Sequence, residues 1–204
     1  MFGKQFFLVI IIAIIISSFL SGCSSVEDDS IVWSDDFEDG ELDGWDVWWQ
    51  KGIYSIDDGI LTIKTGGDLY HESSVLNGTW SFDLFLDDNS DTTHEFRFTE
   101  GTYNFQNLEV KQAENTQIWV TTQRDDGEAI PSHVDLGKKL SGWHHFDITR
   151  EESGMIKIYL DGEFILEHFD DREFDAEKLV VMYCCSGPVL DNLVVRDKVM
   201  NIVP

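Results

Sequence analysis

Basic residues are scarce. Lys and Arg together number 14 against 39 Asp and Glu, a net charge of −25 over 204 residues. A surface of that sign repels phosphate, which excludes nucleic acid and anionic lipid headgroups as partners. It is compatible with divalent cations, neutral sugars or cationic partners, and by itself it also keeps a chain in solution. Proline occurs three times, so there is no proline-rich stalk. Cysteine also occurs three times. Two of the three, Cys184 and Cys185, are neighbours, whose side chains on a strand point to opposite faces. Neither has zinc-ligand spacing to a partner. No segment shows a sustained helical period and no internal repeat occurs. There is no Gly-rich phosphate loop and no His-x-x-x-His pair. His144 and His145 are adjacent, so they cannot share a metal from one strand.

What is present begins at the N-terminus. Lys4 precedes an apolar run from Phe6 to Ile16, and Ser17-Ser-Phe-Leu-Ser-Gly leads to Cys23. This is the order of an export signal. The run is short for a membrane span, which needs about 20 residues. Leu20-Ser-Gly-Cys23 resembles the prokaryotic lipoprotein box. The resemblance implies that the Cys23 thiol carries a diacylglyceryl group and that residues 1–22 are removed. Two or more acyl chains hold a protein stably on a bilayer. Residues 23–30 then read as the lipidated Cys with a short acidic tether, and residues 31–204 as one domain. The expected location is the cell surface, anchored to the membrane by lipid.

With 42% hydrophobic and 13% aromatic residues, the body can fill a core. Alternating apolar patterns of five to eight residues recur between turn signals such as Asp58-Gly59, Asp126-Gly127 and Asp161-Gly162. Strands are expected at Ile31–Phe37, Trp45–Trp49, Ile53–Ile56, Ile60–Lys64, Trp80–Leu86, His94–Thr99 and Phe105–Lys111. Further strands are expected at Gln117–Gln123, Trp143–Arg150, Met155–Leu160, Glu163–Phe169, Lys178–Tyr183 and Val189–Arg196. About a dozen short strands without helices imply two packed antiparallel sheets.

Three stretches carry a resemblance. Trp33-Ser-Asp-Asp-Phe-Glu-Asp-Gly-Glu-Leu-Asp-Gly-Trp45, continued by Ile53 to Leu61, is similar to the opening of concanavalin A-like modules. Gly142 to Arg150 followed by Met155 to Gly162 looks like the laminin G-like hairpin. Gly187 to Arg196 is similar to the closing strand that pairs with the first. The chain thus resembles the concanavalin A-like and laminin G-like jelly rolls, including modules related to 3-keto-disaccharide hydrolases. That implies an all-β, two-sheet antiparallel jelly-roll β-sandwich. The fold hosts lectins, adhesins and glycosidases, so function must be argued from the site.

Alternation assigns Phe82, Leu84 and Leu86 to the core with Phe96, Phe98, Leu108, Val110, Ile118 and Val120. The opposite face then carries Phe85, Arg97, Asn107, Glu109, Trp119 and Gln123, with Asp83, Glu95 and Thr121 among them. A ring stacks on the apolar face of a pyranose while amides, carboxylates and guanidinium groups fork onto its hydroxyls. Trp119, Arg97, Asn107, Glu109, Gln123 and Phe85 are therefore the expected ligand-binding set for an extracellular glycan, which His145 and Tyr159 could extend. The competing reading is a solvated sheet face with cross-strand pairs such as Glu109 with Arg97.

The resemblance also implies a structural calcium tying the first strand to the last, through Asp36 or Asp39 and Asp191. The alternative for these residues is turn formation. Asp87-Asp-Asn-Ser-Asp91 copies the start of an EF-hand loop, but Thr92 and Phe98 stand where Gly and Glu are required, and it reads as a hairpin loop. Glu173-Phe-Asp-Ala-Glu177 has the spacing of retaining glucanases but reads as a connecting loop. The expected function is binding without catalysis. Its rivals are a glycoside hydrolase, with Glu95 and Glu109 as the carboxylate pair, and an adhesion module that binds protein.

Overall fold

A computed structural model describes residues 28–47, 53–65, 69–100, 104–124, 127–170, 178–184 and 189–202. Cys23, Cys185 and the Glu173 to Glu177 stretch lie outside them. The described residues form strands β1 (Ile31–Asp35), β2 (Trp45–Val47), β3 (Ile53–Asp57), β4 (Ile60–Thr65), β5 (Leu69–Glu72), β6 (Gly78–Leu86), β7 (Thr93–Glu100) and β8 (Phe105–Gln112). They continue with β9 (Thr116–Gln123), β10 (Ala129–Asp135), β11 (Gly142–Arg150), β12 (Met155–Leu160), β13 (Glu163–Phe169), β14 (Lys178–Cys184) and β15 (Val189–Arg196). Among the described residues there is no helix.

The strands build two antiparallel sheets. An eight-stranded sheet runs β13-β12-β11-β6-β15-β4-β3, with β1 also paired to β15. A seven-stranded sheet runs β10-β9-β8-β7-β14-β5-β2. The expected closure is present: Trp33 of β1 stands opposite Val195 of β15. So is the expected hairpin, with Ile148 of β11 opposite Ile158 of β12. Its neighbour β12–β13 turns through Asp161 and Gly162, with φ of 53° and 80°. The β3–β4 hairpin turns the same way through Asp58 and Gly59, with φ of 50° and 74°. Two successive left-handed residues give the twist that tight hairpins need, which is why Asp-Gly marks both.

The two inner faces interlock. Phe82 of one sheet lies 4.4 Å, centroid to centroid, from Phe96 of the other, and Trp80 lies 5.2 Å from Phe98. Phe146, Ile148, Ile156, Ile158, Leu193 and Val195 complete one face of the core, and Leu108, Val110, Ile118 and Val120 the other. Every residue that alternation placed inside is buried. At the start of β6 the packing is tight. A Cβ on Gly78 would sit 2.0 Å from the backbone oxygen of Arg196, so only glycine lets β6 and β15 close there.

Three expectations change. β1 stops at Asp35, because Asp35 Oδ1 accepts the Phe37 amide at 2.8 Å and Phe37 turns to a φ of 54°. Strand β5 was not expected, and neither was β10, whose pattern Pro131 interrupts. Strand β10 exists because it is the outer strand of its sheet and pairs only with β9 there, where a missing amide is tolerated. Finally, β6 and β7 belong to different sheets. The Asp87 to Asp91 loop therefore carries the chain across the sandwich and does not close a hairpin. Its Asp87 Oδ1 accepts the Asn89 amide at 2.9 Å. Alternation reports which side chains turn inward but not which of two facing sheets a strand joins.

Candidate functional site

Five of the six expected ligand-binding residues lie on the outer face of the seven-stranded sheet. Antiparallel register sets Arg97 opposite Asn107, Glu95 opposite Glu109, and Glu109 opposite Trp119. Gln123 ends the row, exposed and opposite Phe105. Phe85 is elsewhere. It lies on β6, on the outer face of the other sheet, for the reason just given.

The side chains form a continuous polar chain. Arg97 Nε lies 3.1 Å from Glu95 Oε1, and its guanidinium carbon sits 3.9 Å over the Phe105 ring. Asn107 Nδ2 donates to Glu95 Oε1 at 3.1 Å and to Glu109 Oε1 at 3.3 Å. Glu109 Oε2 pairs with Lys111 Nζ at 2.7 Å. The two glutamates that would serve a hydrolase thus share one amide nitrogen as donor. Each is also held in an ion pair, but along its own strand, Glu95 with Arg97 on β7 and Glu109 with Lys111 on β8, where the cross-strand reading expected Glu109 with Arg97. Asn107 is 2% exposed although it faces outward, and its Oδ1 has no hydrogen-bond partner among the described residues.

Trp119 points out of the sandwich, between buried Ile118 and Val120. Its ring is occupied from two directions. The His133 ring of β10 stacks on it at 4.1 Å and 10°, and Lys111 Nζ of β8 lies 4.3 Å from its centroid. Because β10 and β8 flank β9 on opposite sides, the two contacts cover the indole from both neighbouring strands. Trp119 Nε1 donates to Gln117 Oε1 at 3.2 Å. The sequence alone does not show this clamp, since it depends on the register of three strands.

The expected calcium residues sit at the end of β1. Asp36 and Asp39 line a cleft of about 430 Å³ with Trp33, Asp35, Asp43 and Asn192. Their oxygens are engaged in turns: Asp36 Oδ1 accepts from the Glu38 amide at 3.3 Å and Asp39 Oδ1 from the Glu41 amide at 2.9 Å. Asp191 stands beside the cleft. Burial pushes its carboxyl above the usual range, and the negative charges of Asp83, Glu38 and Asp36 add to that. Among the described residues no three His, Cys, Asp or Glu side chains converge on a metal position. Just before β6, Asn77 Oδ1 accepts from the buried Arg150 guanidinium.

His145 lies on the eight-stranded sheet, with Nδ1 2.6 Å from Asp83 Oδ1 and Nε2 3.3 Å from Asp147 Oδ1. Hydrogen bonds to Asp147 and Asp83 hold the imidazole charged, its pKa raised to about 9. Burial would raise the Asp147 carboxyl, but hydrogen bonds from His145 and Ser81 outweigh it and keep it below the usual range.

No family model matches the sequence, and no curated protein matches it. Solved structures do. The chain is similar to the carbohydrate-binding module CBM66 from Bacillus subtilis at 14% identity and a TM-score of 0.58, over 75% of this chain and 95% of that one. It is similar to a GlcNAcα1-4Gal-releasing endo-β-galactosidase from Clostridium perfringens at 10% identity and a TM-score of 0.65, over 83% and 64%. The botulinum neurotoxin serotype D binding domain matches at 15% identity and a TM-score of 0.63, over 85% of this chain and 49% of that one. The chain spans about half the length of that toxin domain. At these identities the likeness is one of fold: a β-sandwich shared by carbohydrate-binding modules, glycosidases and toxin binding domains.

Proposed function

We propose that this protein is a cell-surface lipoprotein whose β-sandwich binds extracellular glycan and performs no chemistry of its own. The observation that carries the reading is the outward row Arg97, Glu95, Asn107, Glu109, Lys111 and Trp119, a set of forked donors and acceptors around an indole on one sheet face. Asn107 Oδ1, buried and without a partner among the described residues, is an acceptor that a hydroxyl meets only after the side chains over it shift. The polar rim supplies orientation. The clamped Trp119 supplies an edge, and its faces open only when Lys111 and His133 move aside.

A glycan array with the wild type and Trp119→Ala tests this. Binding of a neutral glycan by the wild type, weakened about tenfold in the variant, is the expected result, a change of ~1.4 kcal/mol. Unchanged binding by Trp119→Ala would remove this face from the function. Calcium belongs to the same proposal. Asp36 and Asp39 would hold it across the end of β1 from Asp191, with backbone carbonyls and water completing its 6–8 oxygens. Running the array in calcium and in chelator separates an ion needed for binding from one that is not.

The anchor is tested at the native N-terminus. Mass spectrometry is expected to find residue 23 first, bearing a diacylglyceryl thioether. An unmodified Cys23, or a chain starting elsewhere, would refute lipidation and release the domain from the membrane.

A further inference from the structure

The freely exposed rings of the sandwich do not gather around Trp119. Two of them, Trp143 and Phe85, lie on the outer face of the eight-stranded sheet. Trp143 of β11 and Phe85 of β6 are directly opposed in the antiparallel register and meet edge to face at 5.6 Å. They remain 43% and 38% exposed. Two positions along both strands, on the same face, the next opposed pair is His145 and Asp83. Beyond the Asp83 and His145 contact, Asn192 Nδ2 donates to the second Asp83 oxygen at 2.8 Å, and Asp191 stands opposite Asp83 on β15.

We infer that this surface is a second carbohydrate-contact face, taking a pyranose without acidic groups that stacks on Trp143 and Phe85, an inference that rests on the carbohydrate-binding function proposed above. The indole and phenyl rings offer an apolar surface to the C–H face of the sugar. The carboxylates of Asp83 and Asp191 lie about 7 Å further along the strands, two residues on, where they can accept from its hydroxyls. Both Asp83 oxygens are already oriented, by His145 and by Asn192, so the acceptor is fixed before the ligand arrives. Charge decides the class of sugar. Among the described residues, Asp83, Asp147 and Asp191 outnumber the one histidine on this face, His145, and a sulfate or uronate would be repelled. Two rings bordered by ionised groups make a small apolar area for a protein partner.

The test uses the full chain as wild type, Trp143→Ala, Phe85→Ala and Trp119→Ala. Titrations are run with neutral and with sulfated oligosaccharides, and near-UV circular dichroism confirms each fold. The expected result is about a tenfold loss of affinity for the neutral sugar in Trp143→Ala and a smaller loss in Phe85→Ala, with no binding of the sulfated one. Bound sugar should also shield Trp143 from acrylamide quenching. If the wild type binds sugar and neither variant differs from it, this face is not a contact and the glycan function stands. If the wild type binds no sugar, both proposals fall together. Self-association of the wild type that Trp143→Ala abolishes, without an effect on sugar, would make the face a protein interface and overturn the inference.

Discussion

Replacing Phe82 with Ala is expected to lower the free energy of unfolding by ~3–5 kcal/mol. Phe82 is 1% exposed and sits where the two sheets meet. Its ring lies 5.6 Å from Phe146 in its own sheet and 4.4 Å from Phe96 in the facing one. Its surroundings cannot collapse to fill the gap, because its opposed neighbour Phe146 is fixed on β11 by continuous register. A void of about 10 Å³ already borders Phe82, Leu84, Phe96 and Leu108. Truncation enlarges it, and the cost grows with cavity volume. Against a typical domain stability of ~5–15 kcal/mol, such a loss would unfold an appreciable fraction at growth temperature. Phe164 is the control. It is 54% exposed on β13, and Phe164→Ala should change stability by less than ~0.5 kcal/mol. Urea denaturation of both variants measures the difference. Equal effects would mean that the sandwich is not held through the Phe82 contact.

Phe82 also shows what a sequence can and cannot convey. Its inward phase, and that of Leu84 and Leu86, follows from alternation, and so does the outward phase of Trp119. The closing pair β1–β15 and the β11–β12 hairpin were legible because their Trp and Asp-Gly elements have fixed positions in the pattern. Phe85 was misplaced because β6 pairs with β11, where its partner Trp143 is 58 residues on, a partnership that no local rule encodes. The stacking of His133 and Lys111 on Trp119 was invisible for the same reason, since it needs the β8–β9 and β9–β10 registers at once. Strand β10 was hidden by Pro131, whose exclusion from sheets does not hold at an edge. What local periodicity settles is the side of a strand. What it leaves open is the neighbour, and the composition of a surface site depends on neighbours.

Stability is expected to peak near neutral pH and fall by ~3 kcal/mol between pH 6.5 and pH 4, most of it through His94. His94 is 8% exposed on β7, with Nε2 3.2 Å from Thr92 Oγ1 and Nδ1 without a partner among the described residues. Burial pushes its pKa down from 6.5 to about 4. Between those values the unfolded chain binds a proton that the folded chain refuses, so acid favours unfolding, at ~1.4 kcal/mol per unit of difference. His71, also lowered by burial, acts in the same direction. The alkaline limb has the opposite origin. The folded state holds the His145 proton more tightly than the unfolded chain, with a pKa of about 9, so that contribution is complete below pH 6.5 and is lost as pH rises toward 9. The His145 side chain is 44% exposed, and solvent screening makes this limb the shallower one. The paired carboxylates of Asp147 and Asp161, held below the usual range, lose their contribution only in more acid solution. The histidine window is therefore separable from theirs. Thermal melts from pH 4 to pH 9 on wild type and His94→Leu check this: the variant should keep the alkaline limb and lose most of the slope between pH 6.5 and 4.5. An unchanged acid slope in His94→Leu would place the acid sensitivity in other groups and refute a neutral, buried His94.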